Sequence, residues 1–270
     1  MPKFVLTVFL ILACVTLRAQ TWEIGLSGGG AGYMGDLNQH NPLKLSGISA
    51  GGFIKRNFNG YLGLKGSLTY GRIAAADSTS NNQQFRDRNL SFFNRMVEGS
   101  LIGEFNFMHY IPDAGKNRWT PFIYLGVGLT FHSPAARFNN GNSVAALRPL
   151  RTEGQENEYA KYLIAIPYGA GIKYNIGGTW TIAVDLGYRY TNTDYLDDVS
   201  GLYPEKSMLP QENSLRQKAL ILYDRSGEKT GDYIGLPYTQ RGDFRKHDQY
   251  LFLNLSISFT FVPERCYYEQ

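Results

Sequence analysis

Charge is scarce in this chain: Asp, Glu, Lys and Arg make up 19% of its 270 residues, below the roughly 25% of soluble globular proteins. The hydrophobic fraction of 43% is ordinary, enough to exclude a disordered chain. Beyond the first seventeen residues there is no apolar run of about 20 residues, which excludes a helical membrane span in the mature chain and leaves a barrel as the one way to cross a bilayer. The 27 Lys and Arg exceed the 23 Asp and Glu without forming a basic run, so no nucleic-acid surface is expected. Histidines stand only at 40, 109, 132 and 247, with no paired ligand spacing for zinc. The two cysteines are Cys14 and Cys266. Once a leader containing Cys14 is removed, no internal disulfide can form.

That leader is readable. Met1-Pro2-Lys3 is a basic start, Phe4 to Leu17 an apolar core, and Ala19 a small residue at a cleavage point, so residues 1–19 read as an export signal and 20–270 as one barrel domain. Ile11-Leu12-Ala13-Cys14 resembles a lipoprotein box, but Leu12 fits it poorly and the apolar run continues past the cysteine.

What the chain does have is 30 Gly, 19 Tyr, 16 Phe and 3 Trp, set in a period-two alternation that marks strands with two different faces. The last copy is the clearest. Leu251, Leu253, Leu255, Ile257, Phe259 and Phe261 share one face, opposite Tyr250, Phe252, Asn254, Ser256, Ser258 and Thr260. Similar segments at Trp22 to Tyr33, Ser46 to Arg56, Gly60 to Gly71, Arg95 to His109, Pro121 to His132, Tyr162 to Tyr174 and Trp180 to Tyr190 bring the total to eight. An even number suits a bacterial outer-membrane barrel. Connectors alternate between short ones with turn chemistry (57–60, 110–118, 175–178) and long polar ones (34–45, 73–94, 133–160, 192–247). Short periplasmic turns facing long external loops are the outer-membrane pattern, with both chain ends in the periplasm. Trp22, Tyr33, Tyr70, Phe107, Phe131, Tyr162, Tyr174, Trp180, Tyr190 and Phe261 sit near strand ends, where amphipathic rings favour the lipid boundary. The expectation is an eight-stranded antiparallel up-and-down transmembrane barrel in contact with outer-membrane lipid.

Lys65, Glu98, Glu104, Asp185 and Arg189 fall on the inward face with Thr69, Ser100, Asn106 and Thr181. Eight strands enclose a lumen only wide enough for side chains, so these charges are expected to pair as a structural network and not to form an ion path. His132-Ser133 and His247-Asp248 do not make a triad, because neighbours in a strand point to opposite faces, and no enzymatic site is expected. Asp194, Asp197 and Asp198 carry calcium-binding side chains, but without an Asp-rich loop closed by Glu they read as a solvated acidic loop. Gly28-Gly29-Gly30 lies inside a strand pattern with no following helix, which argues for sheet curvature over a phosphate loop. No cofactor or metal is expected. A short structured piece is expected at Asn213 to Asp224, since a structureless loop of that length is uncommon.

Thr193-Asp194-Tyr195-Leu196-Asp197-Asp198-Val199-Ser200, just after Leu186-Gly187-Tyr188-Arg189, resembles a hallmark of the PorG-like family of the type IX secretion system. Tyr33-Met34-Gly35-Asp36-Leu37, Arg88-Asn89-Leu90-Ser91-Phe92 and Pro149-Leu150-Arg151-Thr152-Glu153-Gly154-Gln155 are similar to that family in the same order. The resemblance implies a non-enzymatic outer-membrane barrel associated with the periplasmic ring of the lipoprotein PorK and its partner PorN. Asp194 to Ser200 is then expected to order the base of the longest loop, with Asp side chains bonding nearby amides and Tyr195 and Leu196 as anchors. Lys116, Asn117 and Arg118 in the middle turn, with Arg265, Tyr267 and Tyr268 after the last strand, are the candidate partner contacts, since Tyr and Arg are enriched at interface hot spots. The competing reading is a stand-alone structural or adhesive barrel whose long loops bind an extracellular ligand.

Overall fold

The computed structural model of the protein describes residues 21–112 and 117–261. Eight long strands carry the alternation: β1 (Thr21–Met34), β2 (Leu45–Asn57), β3 (Leu62–Ala76), β4 (Ser91–Asn106), β5 (Trp119–Phe138), β7 (Tyr162–Gly177), β8 (Trp180–Thr191) and β9 (Gln249–Phe261). Each pairs antiparallel with its neighbours in the chain, and β1 pairs with β9, from Trp22 opposite Phe261 to Met34 opposite Gln249. The sheet closes on itself and these strands leave no free edge. Closure is what a membrane requires, because lipid offers no partner to an unpaired amide or carbonyl.

Strand ends differ from expectation at the loop end of the barrel. β3 runs on to Ala76 and β4 begins at Ser91, the two staying paired over the added length. β5 continues to Phe138 and doubles back as the short strand β6 (Ser143–Ala146), in register from Phe138 opposite Ser143 to Ala135 opposite Ala146. At the turn end β4 stops at Asn106, and Met108 N–H donates to the Thr120 hydroxyl.

Outward side chains form an apolar belt in which Leu26, Leu68, Leu125, Val127 and Leu255 are 60–68% exposed. Trp22, Phe107, Trp119, Tyr174, Trp180 and Phe261 ring the turn end, and Tyr70, Phe131, Tyr162 and Tyr190 the loop end, all exposed. Belt and girdles together are those of a transmembrane barrel of the outer-membrane type. Two expected lipid-facing residues lie elsewhere. Tyr33 is buried, its hydroxyl donating to Asp197 at 2.5 Å, and Leu251 is buried. Both stand at loop-end positions of their strands: Tyr33 shares the inward face of Glu23 and pairs with inward Tyr250, while Leu251 has outward parity but is covered at the loop end.

The long connectors do not trail from the barrel. They hold α1 (Gln83–Arg88), α2 (Asn213–Leu222) and α3 (Gly227–Thr230), with α2 falling where structure was expected. Leu37, Leu90, Leu147, Leu150, Leu196, Val199, Tyr203, Leu209, Ala219 and Leu222 from these loops bury with Tyr33, Ile73, Phe92, Tyr250 and Phe252 of the strands in one hydrophobic cluster. The principal core is thus a cap at the loop end; a smaller cluster of Ile102, Phe122, Tyr124 and Ala183 sits within the barrel.

Replacing Leu255 at the centre of β9 with Arg is expected to destabilise the membrane-inserted barrel by about 2–4 kcal/mol, the depth-dependent cost on a lipid face. Urea unfolding from lipid vesicles, read by heat-modified gel mobility, measures it, with Leu255→Met near neutral.

Candidate functional site

The lumen holds four acids and four bases in two tiers. The tier nearer the turn end centres on Glu104 of β4. Its carboxylate meets Lys173 Nζ at 2.6 Å, Lys65 Nζ at 2.8 Å and Lys55 Nζ at 3.4 Å. Lys55 also holds Glu23 at 2.6 Å, and Glu23 accepts from Ser258 at 2.6 Å and Asn57 at 3.2 Å. In the tier above, Glu98 accepts from Tyr250 at 2.6 Å and pairs with Arg189 at 3.4 Å, while Asp185 accepts from Tyr124 at 3.0 Å. Rings close the gaps: Lys173 lies 4.2 Å from the Phe122 centroid and Arg189 4.3 Å from that of Phe252. A Cβ on Gly187 would overlap the Tyr124 hydroxyl, so that glycine makes room for the ring.

Lys65, Glu98, Glu104, Asp185 and Arg189 are therefore brought together as expected. Glu23, Lys55 and Lys173 complete the network and were not among the expected residues. Their signal was present in the alternation: Glu23 lies between Trp22 and Ile24, and Lys173 between Ile172 and Tyr174, neighbours that face outward and are exposed. Buried ions in such a network require one another, since an unpaired buried charge is strongly unfavourable. The filled lumen is a plug.

Above the plug the cap is organised by buried arginines and aspartates. Arg88 clamps Asp77 at 2.7 and 2.8 Å and donates to the carbonyls of Asp36 at 3.1 Å and of Arg241. Arg241 pairs with Glu153 at 3.0 Å and donates to the carbonyls of Asp198 at 2.7 Å and Tyr223 at 3.2 Å. Glu153 in turn accepts from the amides of Ser200 and Gly201 at 2.9 and 3.1 Å.

The segment Asp194 to Ser200 is the keystone of this cap. Leu196 is fully buried and its carbonyl accepts from Asn94 of β4 at 2.8 Å. Tyr195 stacks on Tyr159 at 4.8 Å. Asp197 accepts from Tyr33 and from Val199 N–H at 2.9 Å. Asp198, in a left-handed conformation, accepts from Thr152 at 2.5 Å and Tyr159 at 2.8 Å. The segment sits at the base of the longest loop, and one of the expected local Asp-to-amide bonds is present, Val199 N–H to Asp197. The expected solvation is not: Asp197 and Asp198 are buried, because the loop folds back over the barrel mouth.

Burial pushes these carboxyls up. Asp198 rises to about 6 despite Arg241 and its hydroxyl donors. Asp36 rises to about 9 through burial and the charges of Asp197 and Asp243. Asp197 and Asp248 go well above the usual range, by burial and then by the charges of Asp248 and Asp36 respectively.

Of the histidines weighed for catalysis, His132 is buried with its ring nitrogens toward the Asn94 amide at 3.4 Å and the Ala160 carbonyl at 3.1 Å, and His247 packs on Tyr190 at 5.1 Å. Of the expected partner contacts, Asn117 and Arg118 lie at the turn end, Asn117 donating to the His109 carbonyl at 2.9 Å and the Arg118 carbonyl accepting from Asn175 at 2.7 Å. Lys116, Arg265, Tyr267 and Tyr268, like the expected leader with Cys14, lie outside the described residues.

Glu104→Gln is expected to cost about 3–5 kcal/mol, because it strands the lysines that converge on it. A lower urea midpoint, partly restored by adding Lys173→Met, is the outcome to measure.

The pH dependence of the cap follows from the raised carboxyls. Because their folded-state values lie above the ordinary value of about 3.9, the folded cap holds protons that the unfolded loop releases. Its stability is therefore greatest at low pH and is lost as pH rises through about 6 for Asp198 and on toward about 9 for Asp36. In metal-free buffer, protease cleavage within 193–248, normalised to a peptide substrate, is expected to be slower at pH 5 than at pH 8.

The sequence profile of a family described as "Domain of unknown function (DUF6089)" matches residues 2–220. No curated protein matches the chain. Among solved structures, neisserial surface protein A aligns over 90% of this chain and 100% of its own, at 13% identity and a TM-score of 0.40. Ail, the attachment invasion locus protein of Yersinia pestis, aligns over 90% and 97% at 12% identity and 0.38. A major outer membrane protein from Thermus thermophilus aligns over 90% and 100% at 14% identity and 0.38.

Proposed function

This chain belongs to the DUF6089 family, and we propose that it is a non-enzymatic outer-membrane component of the type IX protein secretion system, with its loop cap outside the cell and its turn end on the periplasmic ring of PorK and PorN. The observation that carries this reading is where the four stretches resembling the PorG-like family meet. Tyr33 donates to Asp197, Arg88 to the Asp36 carbonyl and Thr152 to Asp198, while Glu153 accepts from Ser200 N–H. Stretches scattered along the chain thus build one interlocked cap. A pattern that follows a three-dimensional unit is stronger support for kinship than four separate local likenesses. The filled lumen supports a barrel that works through its surfaces over one that conducts cargo.

Docking is assigned to the turn end, where Asn117 and Arg118 stand at the start of β5 beside the end of β7, with Lys116 and the segment holding Arg265, Tyr267 and Tyr268 as further contacts. The alternative, a stand-alone barrel whose loops bind an extracellular ligand, is favoured by one observation: Tyr233, Ile234, Leu236 and Tyr238 expose large apolar surface on the longest loop.

Detergent pull-down of the full chain separates the two, since only the first reading brings down the ring proteins. Deleting 264–270 together with alanine at 116–118 is expected to leave insertion intact, because β9 ends at Phe261. Ring recovery should then drop about tenfold or more, the scale of one or two hot-spot residues. Undiminished ring recovery and secretion would refute docking through these residues, and failure of the wild type to recover the ring would leave the stand-alone reading.

A further inference from the structure

The ends of three adjacent strands bring together acids that are far apart in sequence. Asp36 follows β1, Asp194 follows β8 and Asp248 precedes β9, and β9 pairs with both β1 and β8 at this end, through Gln249 opposite Met34 and opposite Tyr190. Asp36, Asp194 and Asp248 each offer a carboxylate oxygen within 4.8 Å of the others. Asp36 is only 1% exposed, yet its Oδ2 has no hydrogen-bond partner, and Asp194 Oδ1 has none either. The remaining oxygens are placed by donors: Asp248 Oδ2 accepts from Leu196 N–H at 3.0 Å, Asp194 Oδ2 from the Ser200 hydroxyl at 2.7 Å, and Asp36 Oδ1 from Asp243 N–H. The backbone is drawn in close around them, since a Cβ on Gly35 would collide with Asp248 Oδ1 and one on Gly242 with Asp36 Oδ1.

The neighbouring cations are engaged elsewhere. Arg88 pairs with Asp77, Arg241 with Glu153, and Arg245 with Asp243 at 3.3 Å. Among the described residues, no ion pair to Lys or Arg joins any of the three acids.

We propose that Asp36, Asp194 and Asp248 bind a calcium ion that ties the first loop to both ends of the longest loop. An all-carboxylate donor set selects a hard cation over zinc or copper. Ligands gathered from three separate chain segments suit calcium, which accepts irregular oxygen geometry, over magnesium, which demands a near-ideal octahedron and is seldom held by an all-protein cage. Partly exposed Asp194 gives the ion access from solvent. The ion would give the buried Oδ2 of Asp36 the partner it lacks. The site is independent of the secretion role.

The test uses the full barrel in detergent at pH 8, stripped with chelator and titrated calorimetrically with calcium chloride, with magnesium chloride in parallel. The expected result is one calcium per chain and at least tenfold slower protease cleavage within 193–248 at 1 mM calcium. Asp194→Asn, at the most exposed ligand, should weaken calcium binding at least tenfold, and Asp87→Asn on α1 should not. Heat-modified gel mobility confirms that each variant retains the barrel. Four results would overturn the proposal: absence of calcium binding at pH 8, equal protection by magnesium, unchanged binding in folded Asp194→Asn, or equal weakening in Asp87→Asn.

Discussion

Closure of eight strands is the constraint on which the rest depends. It satisfies the backbone hydrogen bonds in the spanning region, but it also leaves a lumen no wider than the side chains that point into it. Every inward charge must then find its counter-charge inside the wall. Glu104 does this for three lysines, and Lys55 passes the network on to Glu23. Glycine at 187 and aromatic rings at 122, 124 and 252 fill what the ions leave. The result is a lumen filled with paired charges and rings between the two ends of the barrel.

The two ends are built by different physics. At the turn end connections are short and the outward residues are aromatic. At the loop end the strands outrun the bilayer, and the extra length of β3, β4 and β5 becomes a wall against which the loops condense. Beneath that cap Leu251 is buried although strand parity suggested lipid, and Tyr33, on the same strand face as Glu23, turns inward to Asp197. The cap has its own hydrophobic cluster and its own arginine–aspartate lattice, so it is a folded part of the molecule and not a fringe. Its excess of buried carboxyls couples its firmness to pH and, on the proposal above, to calcium.

Much of the barrel was legible because a strand's two faces are written residue by residue. Val184 faces out, Asp185 in, and Leu186 out again, and the structure keeps that parity through β8. Lys173 was equally readable between Ile172 and Tyr174. Glu23 and Lys55 were harder, because glycines at 25, 28–30, 47, 51 and 52 thin the apolar signal of β1 and β2 and Arg56 stands directly beside Lys55. In the cap, local spacing points to Asp197 and Asp198 as acids near one another but says nothing about Asp36 or Asp248. The reading of Asp197 and Asp198 as solvated failed for the same reason, since burial there depends on β4, β1 and the 148–159 segment.

The sequence by itself determined the strands, their inward and outward faces, the alternation of short and long connectors, and hence a membrane barrel with a charged, filled interior. Period-two patterning is local, and a face chosen at one residue dictates the next. Only the tertiary structure decided that the loops fold into a cap and that Asp36, Asp194 and Asp248 meet. These follow from closure, when pairing β9 with both β1 and β8 sets three chain segments side by side. No local period records which strand ends become neighbours, because that depends on the number of strands and on the register in which the last one joins the first.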